Sequence, residues 1–225
     1  MGKDKKSARK EKDMGEIISK AELFFEEHQK LIYYALLAII AVVVLFFLSK
    51  KYYFEPKNEE ALSKLVWCGQ NLARDSFALA LNGDGINSGY ADIYSSYKIT
   101  NARNQAAIGA ATCAFHLGKY DEAIDYAQKA NRKSVAFAPA MDGLIGDCYV
   151  EKGDIKKAVE YFEKAAGYDN EALAPRFLKK AADIYLFDLK DNKKALELYQ
   201  TIKNKYFKSQ QAAEVDKYIE LASRQ

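Results

Sequence analysis

The chain has 225 residues, 49% of them hydrophobic and 29% charged, and a formal net charge of +3. That apolar share excludes a wholly disordered chain, and a mean hydropathy of −0.32 argues against a polytopic membrane protein. Three cysteines are too few for a disulfide-built fold, and two histidines far apart in sequence, His28 and His116, leave little for a histidine-based metal or acid–base centre.

Residues 1–30 form a tail carrying eight Lys/Arg: Lys3, Lys5, Lys6, Arg9, Lys10, Lys12, Lys20 and Lys30. Residues 3–12, KDKKSARKEK, read as a solvated basic arm able to touch anionic lipid. Residues 14–30 place Ile17, Ala21, Phe24, Phe25 and His28 at helical spacing, as an amphipathic juxtamembrane helix would.

Residues 31–49, LIYYALLAIIAVVVLFFLS, contain no charge. At about 1.5 Å per residue, a helix of that length matches the hydrocarbon core of a bilayer. Tyr33 and Tyr34 near one end, and Phe46, Phe47, Tyr52, Tyr53 and Phe54 at or beyond the other, form the aromatic belts of a span. The thirty residues before the segment and the SKKYYFEP after it do not fit a cleaved signal peptide. A single-pass chain is therefore expected, with its short basic tail cytoplasmic and residues 50–225 across the membrane.

Residues 50–58 are expected as a short linker to an all-α domain over 59–225. The stretch 59–81 reads as one long helix, NGDGINSG (82–89) as a helix–helix loop, and YADIYSSYKIT as a short helix. Together they make a degenerate first repeat, 59–100. A period then emerges. HLGKYDEAIDYAQKA aligns with VEKGDIKKAVEYFEKA, pairing Cys113 with Cys148, Gly118 with Gly153, Ala123 with Ala158 and Ala130 with Ala165, each 35 residues apart. A third copy sets Ala195 37 residues after Ala158, so a turn or inter-helix loop carries a small insertion. The boundaries are 102–135, 137–170 and 172–207, with a capping helix at 209–223. These are the marks of a tetratricopeptide-repeat (TPR) solenoid of antiparallel helix pairs. Small residues (Ala111, Gly146, Ala123, Ala158, Ala195) let the helices approach, and Tyr149, Phe162, Tyr185 and Tyr199 fill the gaps.

The sequence holds no nucleophile elbow, dinucleotide fingerprint or phosphate loop, so no enzyme activity, cofactor or metal is expected. Cys113 and Cys148 read as small core residues, with a bridge between them conceivable in an oxidising compartment. Residues 50–225 carry a net charge of only +2, which gives no nucleic-acid footprint. What remains is the concave face, built by the first helix of each pair. By register it comprises Gln105, Ile108, Thr112, Phe115 and His116, then Leu144, Asp147, Val150 and Glu151, then Arg176, Lys179, Lys180 and Asp183. Such a mixture suits an extended or partly folded polypeptide. Thr112 and Leu144 stand where a chaperone-tail clamp needs asparagines, and Arg176 and Lys180 match only its basic third-repeat part, so that ligand is not expected.

The basic tail, FFEEHQK before one span, and a short TPR domain resemble the YfgM family of bacterial inner-membrane proteins. DSFALALNGDG and GLIGDCYVEKGD are similar to the form found in Bacteroidota. The resemblance implies an ancillary subunit of the SecYEG translocon with periplasmic repeats. Such a subunit works beside a membrane-anchored peptidyl-prolyl isomerase-like chaperone, and the family offers no catalytic residues to carry over. A scaffold for another cell-envelope complex, and a receptor with its repeats in the cytoplasm, remain as alternatives.

Overall fold

The computed structural model describes residues 27–98, 100–131 and 137–224. The basic arm and most of the expected juxtamembrane helix lie outside them. The chain divides into two compact units, Met1–Pro56 and Lys57–Gln225.

In the first unit, α1 (residues 27–49) is followed by a π-helical turn, Lys50–Phe54. Mean hydropathy reaches 3.0 over an 18-residue window here, and none of that window is covered by protein. Leu45 and Phe46 are each 64% exposed. A helix this long and apolar could cross a membrane. The hydroxyl of Ser49 donates to Phe46 O at 2.8 Å, so the polar side chain at its end is satisfied within the helix. Residues 50–58, expected as a linker, are helical throughout. Pro56 explains the π turn. A proline lacks the N–H for the usual bond and crowds the carbonyl four residues back. The wider turn, in which Glu55 N–H reaches Lys50 O, absorbs that misfit without ending the helix.

The second unit is all helix: α2 (Glu55–Leu72, counted from Lys57), α3 (Phe77–Asn82), α4 (Tyr90–Ser96), α5 (Asn101–His116), α6 (Tyr120–Lys129), α7 (Phe137–Glu151), α8 (Ile155–Ala166), α9 (Ala174–Phe187), α10 (Asn192–Lys205) and α11 (Asp216–Ser223). The single long helix expected over 59–81 is broken. Residues 73–76 form a turn in which Asp75 has φ +57° and Ser76 N–H returns to Asn71 O. Aspartate tolerates the left-handed region, because its short side chain can bond locally. The loop after α3 closes on Asp84, whose carboxylate accepts from Ile86 N (2.9 Å), Asn87 N (2.6 Å) and Asn87 Nδ2 (3.0 Å). Those bonds hold the Asp84 carboxyl below its ordinary range. Gly89 is obligatory there, since a Cβ would lie 2.3 Å from Leu81 O.

From α5 onward the helices pair. Each pair turns through a residue with positive φ: Gly118 (+72°), Gly153 (+76°) and Lys190 (+56°). The third turn is one residue longer. Asp154 N–H reaches back five residues to Tyr149 O, whereas Asp191 N–H reaches back six to Tyr185 O. Asp154 and Asp191 then cap α8 and α10 through Lys157 N and Lys194 N.

Rings seated on bare helix backbone hold neighbouring helices together. Tyr90 of α4 lies on Gly109, Phe162 of α8 on Gly146 and Phe177 of α9 on Gly143, with ideal Cβ positions 2.4, 2.6 and 2.0 Å from the respective rings. At the C-terminal end, Tyr218 of α11 stacks on Tyr199 of α10 at 5.4 Å between centroids.

Cys68, Cys113 and Cys148 are free, buried thiols, so the conceivable Cys113–Cys148 bridge is not formed. All three are packed into one core cluster, together with Tyr90. Burial pushes the Cys68 thiol up to about 11 and those of Cys113 and Cys148 up to about 12. All three stay protonated at neutral pH and should react with an aromatic disulfide reagent about a hundredfold slower in the native than in the denatured protein at pH 8. The sign for stability follows: the raised thiols favour the fold below the ordinary thiol range, and that contribution fades as pH climbs from about 8.5 toward the native values. A stability profile that is flat between pH 7 and 10 would contradict this.

Candidate partner-binding face

The first helices of the three pairs, α5, α7 and α9, carry all the side chains expected on the concave face. α5 packs on α7 as well as on α6, and α8 packs between α7 and α9. Aromatic packing on glycine sets the spacing of α7, α8 and α9, so the positions of these side chains follow from the core.

On α5, Gln105 is exposed, while Ile108 and Phe115 are half-buried against the core cluster. The Thr112 hydroxyl donates to Ile108 O at 3.0 Å. His116 is exposed but not unpartnered. Its ring stacks on Phe77 of α3, with centroids 4.3 Å apart and planes within 7°, and meets Phe115 edge-on at 5.6 Å. The break in the expected long helix is what brings α3 there. On α7, Leu144 is half-buried, and Glu151 accepts from the Tyr120 hydroxyl of α6 at 3.2 Å.

The charges toward α9 are joined to each other. Lys180 Nζ bonds Asp147 Oδ1 across α9 and α7 at 2.5 Å and lies 5.2 Å above the Phe162 ring. Lys179 Nζ bonds Asp183 Oδ2 at 2.8 Å and lies 4.5 Å above the Tyr218 ring. The Tyr199 hydroxyl donates to Asp183 Oδ1 at 2.6 Å. Burial and this carboxylate push the Tyr199 phenol far above its ordinary range. Burial opposes the charge on Lys179, but its bond to Asp183 wins and raises the ammonium. Gln105 and Arg176 are both exposed.

Two features were not legible in the sequence. Asp142, two residues before Leu144, is fully buried on α7. It accepts from the Tyr168 hydroxyl at 3.0 Å and from Lys164 Nζ at 3.3 Å, partners 26 and 22 residues away. The second is a cleft of about 510 Å³ between the α8–α9 and α10–α11 connections. Its wall includes Asp169, Lys205, Tyr206 and Phe207. The cleft is shallow in chemistry: Asp169 is already held by Lys205 (2.8 Å) and the Tyr206 hydroxyl (2.5 Å). We place the candidate site on α5, α7 and α9, because stacked repeats bind partners along the face of their first helices. Among the described residues there is no cluster of metal-ligating side chains.

Two tetratricopeptide-repeat family models match the chain, one over residues 100–139 and one over residues 143–171. The matched stretches cover α5 with α6, and most of α7 with α8. No curated protein matches it. Proteins built on these repeats are typically non-enzymatic scaffolds that bind other proteins. With a helical repeat array, no strand among the described residues, and one N-terminal helix long and apolar enough to cross a membrane, this chain is a tetratricopeptide-repeat protein whose array is a scaffold for protein–protein interaction.

Proposed function

We propose that this protein is an ancillary subunit of the SecYEG translocon in a bacterial inner membrane. α1 anchors it with the N-terminus in the cytoplasm, and the repeats in the periplasm receive emerging chains beside a membrane-anchored peptidyl-prolyl isomerase-like chaperone. The observation that carries this reading is the union, in one chain, of a wholly uncovered apolar helix and a protein-binding repeat array. Tethering raises the effective concentration of a weak binding face at the membrane without adding contacts. The excess of Lys/Arg in the short tail supports the orientation, and the resemblance to the YfgM family supports the partner.

The test is photo-crosslinking in native membranes followed by purification in mild detergent. Crosslinkers at Leu36 and Val43 of α1 are expected to capture the translocon, and a crosslinker at Gln105 of α5 to capture secretory chains. Recovery of a different envelope assembly, with translocon subunits absent, would move the function to a scaffold of that assembly. Proteolysis of residues 55–225 from the cytoplasmic side would reverse the topology.

A further inference from the structure

The face of α5, α7 and α9 carries three acids, Asp147, Glu151 and Asp183, and three bases, Arg176, Lys179 and Lys180. It has no net charge, and most of its charge is spent internally. Lys180 is held by Asp147 and Lys179 by Asp183, both pairs half-buried, each lysine also resting on an aromatic ring. A clamp for a carboxylate needs cations whose donors are free and aimed at the ligand. Turning either lysine toward a ligand here would strip a half-buried aspartate of its partner, and Asp183 also anchors the Tyr199 hydroxyl. Arg176, exposed in the first turn of α9, is the one base of the three outside such a pair among the described residues.

Toward α5 the face loses charge altogether. Ile108, Thr112 and Leu144 lie there half-buried, and the Thr112 hydroxyl proton is committed to Ile108 O. A ligand charge placed against Ile108 and Leu144 would lose water and meet no charge on those two side chains, whereas an apolar side chain would gain by burial. We propose that the face recognises uncharged, apolar stretches inside an extended polypeptide and does not read a terminal carboxylate. This rests on the reading of α5, α7 and α9 as the binding face, and it adds the chemistry of what is bound.

The experiment uses the full chain in lipid nanodiscs, with empty nanodiscs as reference, and fluorescence anisotropy of labelled ten-residue peptides. One peptide carries three leucines among serines and threonines and ends in an amide; a second is identical but ends in a free carboxylate; a third has serine in place of every leucine. The leucine amide and leucine acid are expected to bind within twofold of each other, with less than a twofold change between 50 and 500 mM salt. The serine peptide should bind at least about tenfold more weakly, the effect of removing buried apolar side chains. Leu144→Glu should weaken the leucine peptides about tenfold.

A free acid binding ten times more tightly than the amide, with the gain lost in Arg176→Gln, would overturn this inference and leave the binding face standing. Failure of every peptide to bind, or binding indifferent to Leu144→Glu, would overturn the face and the inference with it. If Leu144→Glu lowers the melting temperature, a photo-crosslinker at the exposed Gln105 decides: capture of the leucine peptide supports the proposal, and no capture overturns it.

Discussion

Replacing Gly143 by Ala is expected to destabilise the repeat array by about 2 kcal/mol, although Ala is the better helix former by about 1 kcal/mol in an exposed helix. The added Cβ would lie 2.0 Å from Phe177 Cε1 and 2.2 Å from Cζ, against a ring that is only 5% exposed. The ring cannot simply retreat, because it stacks on Phe162, with centroids 6.3 Å apart, and Phe162 is itself seated on Gly146. Overpacking of this kind costs about 1–3 kcal/mol or more and exceeds the gain in propensity. Phe177→Ala alone should cost about 3–5 kcal/mol through lost burial and a cavity at the centre of three helices. In that background Gly143→Ala should become neutral or stabilising, since the ring it collides with is gone. Thermal unfolding by circular dichroism in detergent micelles reads the cycle, at roughly 2–4 °C per kcal/mol for a domain of this size. Additive effects would mean that the ring does not sit on Gly143.

The second large effect concerns two aspartates on α7 that look alike in sequence. Asp142 and Asp147 each meet a lysine, but Asp142 is fully buried and Asp147 is half-exposed. Asp142→Ala should cost about 3 kcal/mol, because the Tyr168 hydroxyl loses a charged acceptor in a partly buried site and a cavity remains. Lys164, with its side chain 55% exposed, recovers its hydration and adds little. Asp147→Ala should cost less than about 1 kcal/mol, as a solvent-accessible ion pair does. Tyr168→Phe should cost less in the Asp142→Ala background than in the native protein, because the hydroxyl has already lost this partner. Equal costs for the two aspartates would show that Asp142 is not a buried anchor of the repeat.

Both effects rest on contacts that join residues far apart in sequence, and this is where sequence reading stops. The apolar helix was legible as a candidate span because lipid compatibility depends on composition alone: nineteen uncharged residues need no partner in the chain. The repeat was legible because its signal is local and recurs. Gly118 and Gly153 sit 35 apart at positive φ, where a turn demands them, and the alanines between them mark close helix contact. The expectation of a concave face on α5, α7 and α9 came from the same period.

Tertiary structure alone decided how those side chains are used. Asp75 can sit in a helix or in a left-handed turn; packing of α3 and α4 on α5 selects the turn and so carries Phe77 onto His116. Pro56 is compatible with a linker or with a widened helical turn, and the turn prevails. By repeat register Lys179 and Lys180 fall on the concave face. Their neutralisation by Asp183 and Asp147 depends on the four-residue reach of one helix and on the approach of α9 to α7, set by Phe162 and Phe177 on two glycines. Local periodicity specifies which face a residue occupies. Whether its charge is left for a partner or satisfied at home is a matter of ångströms between helices, which the order of residues along one helix does not contain.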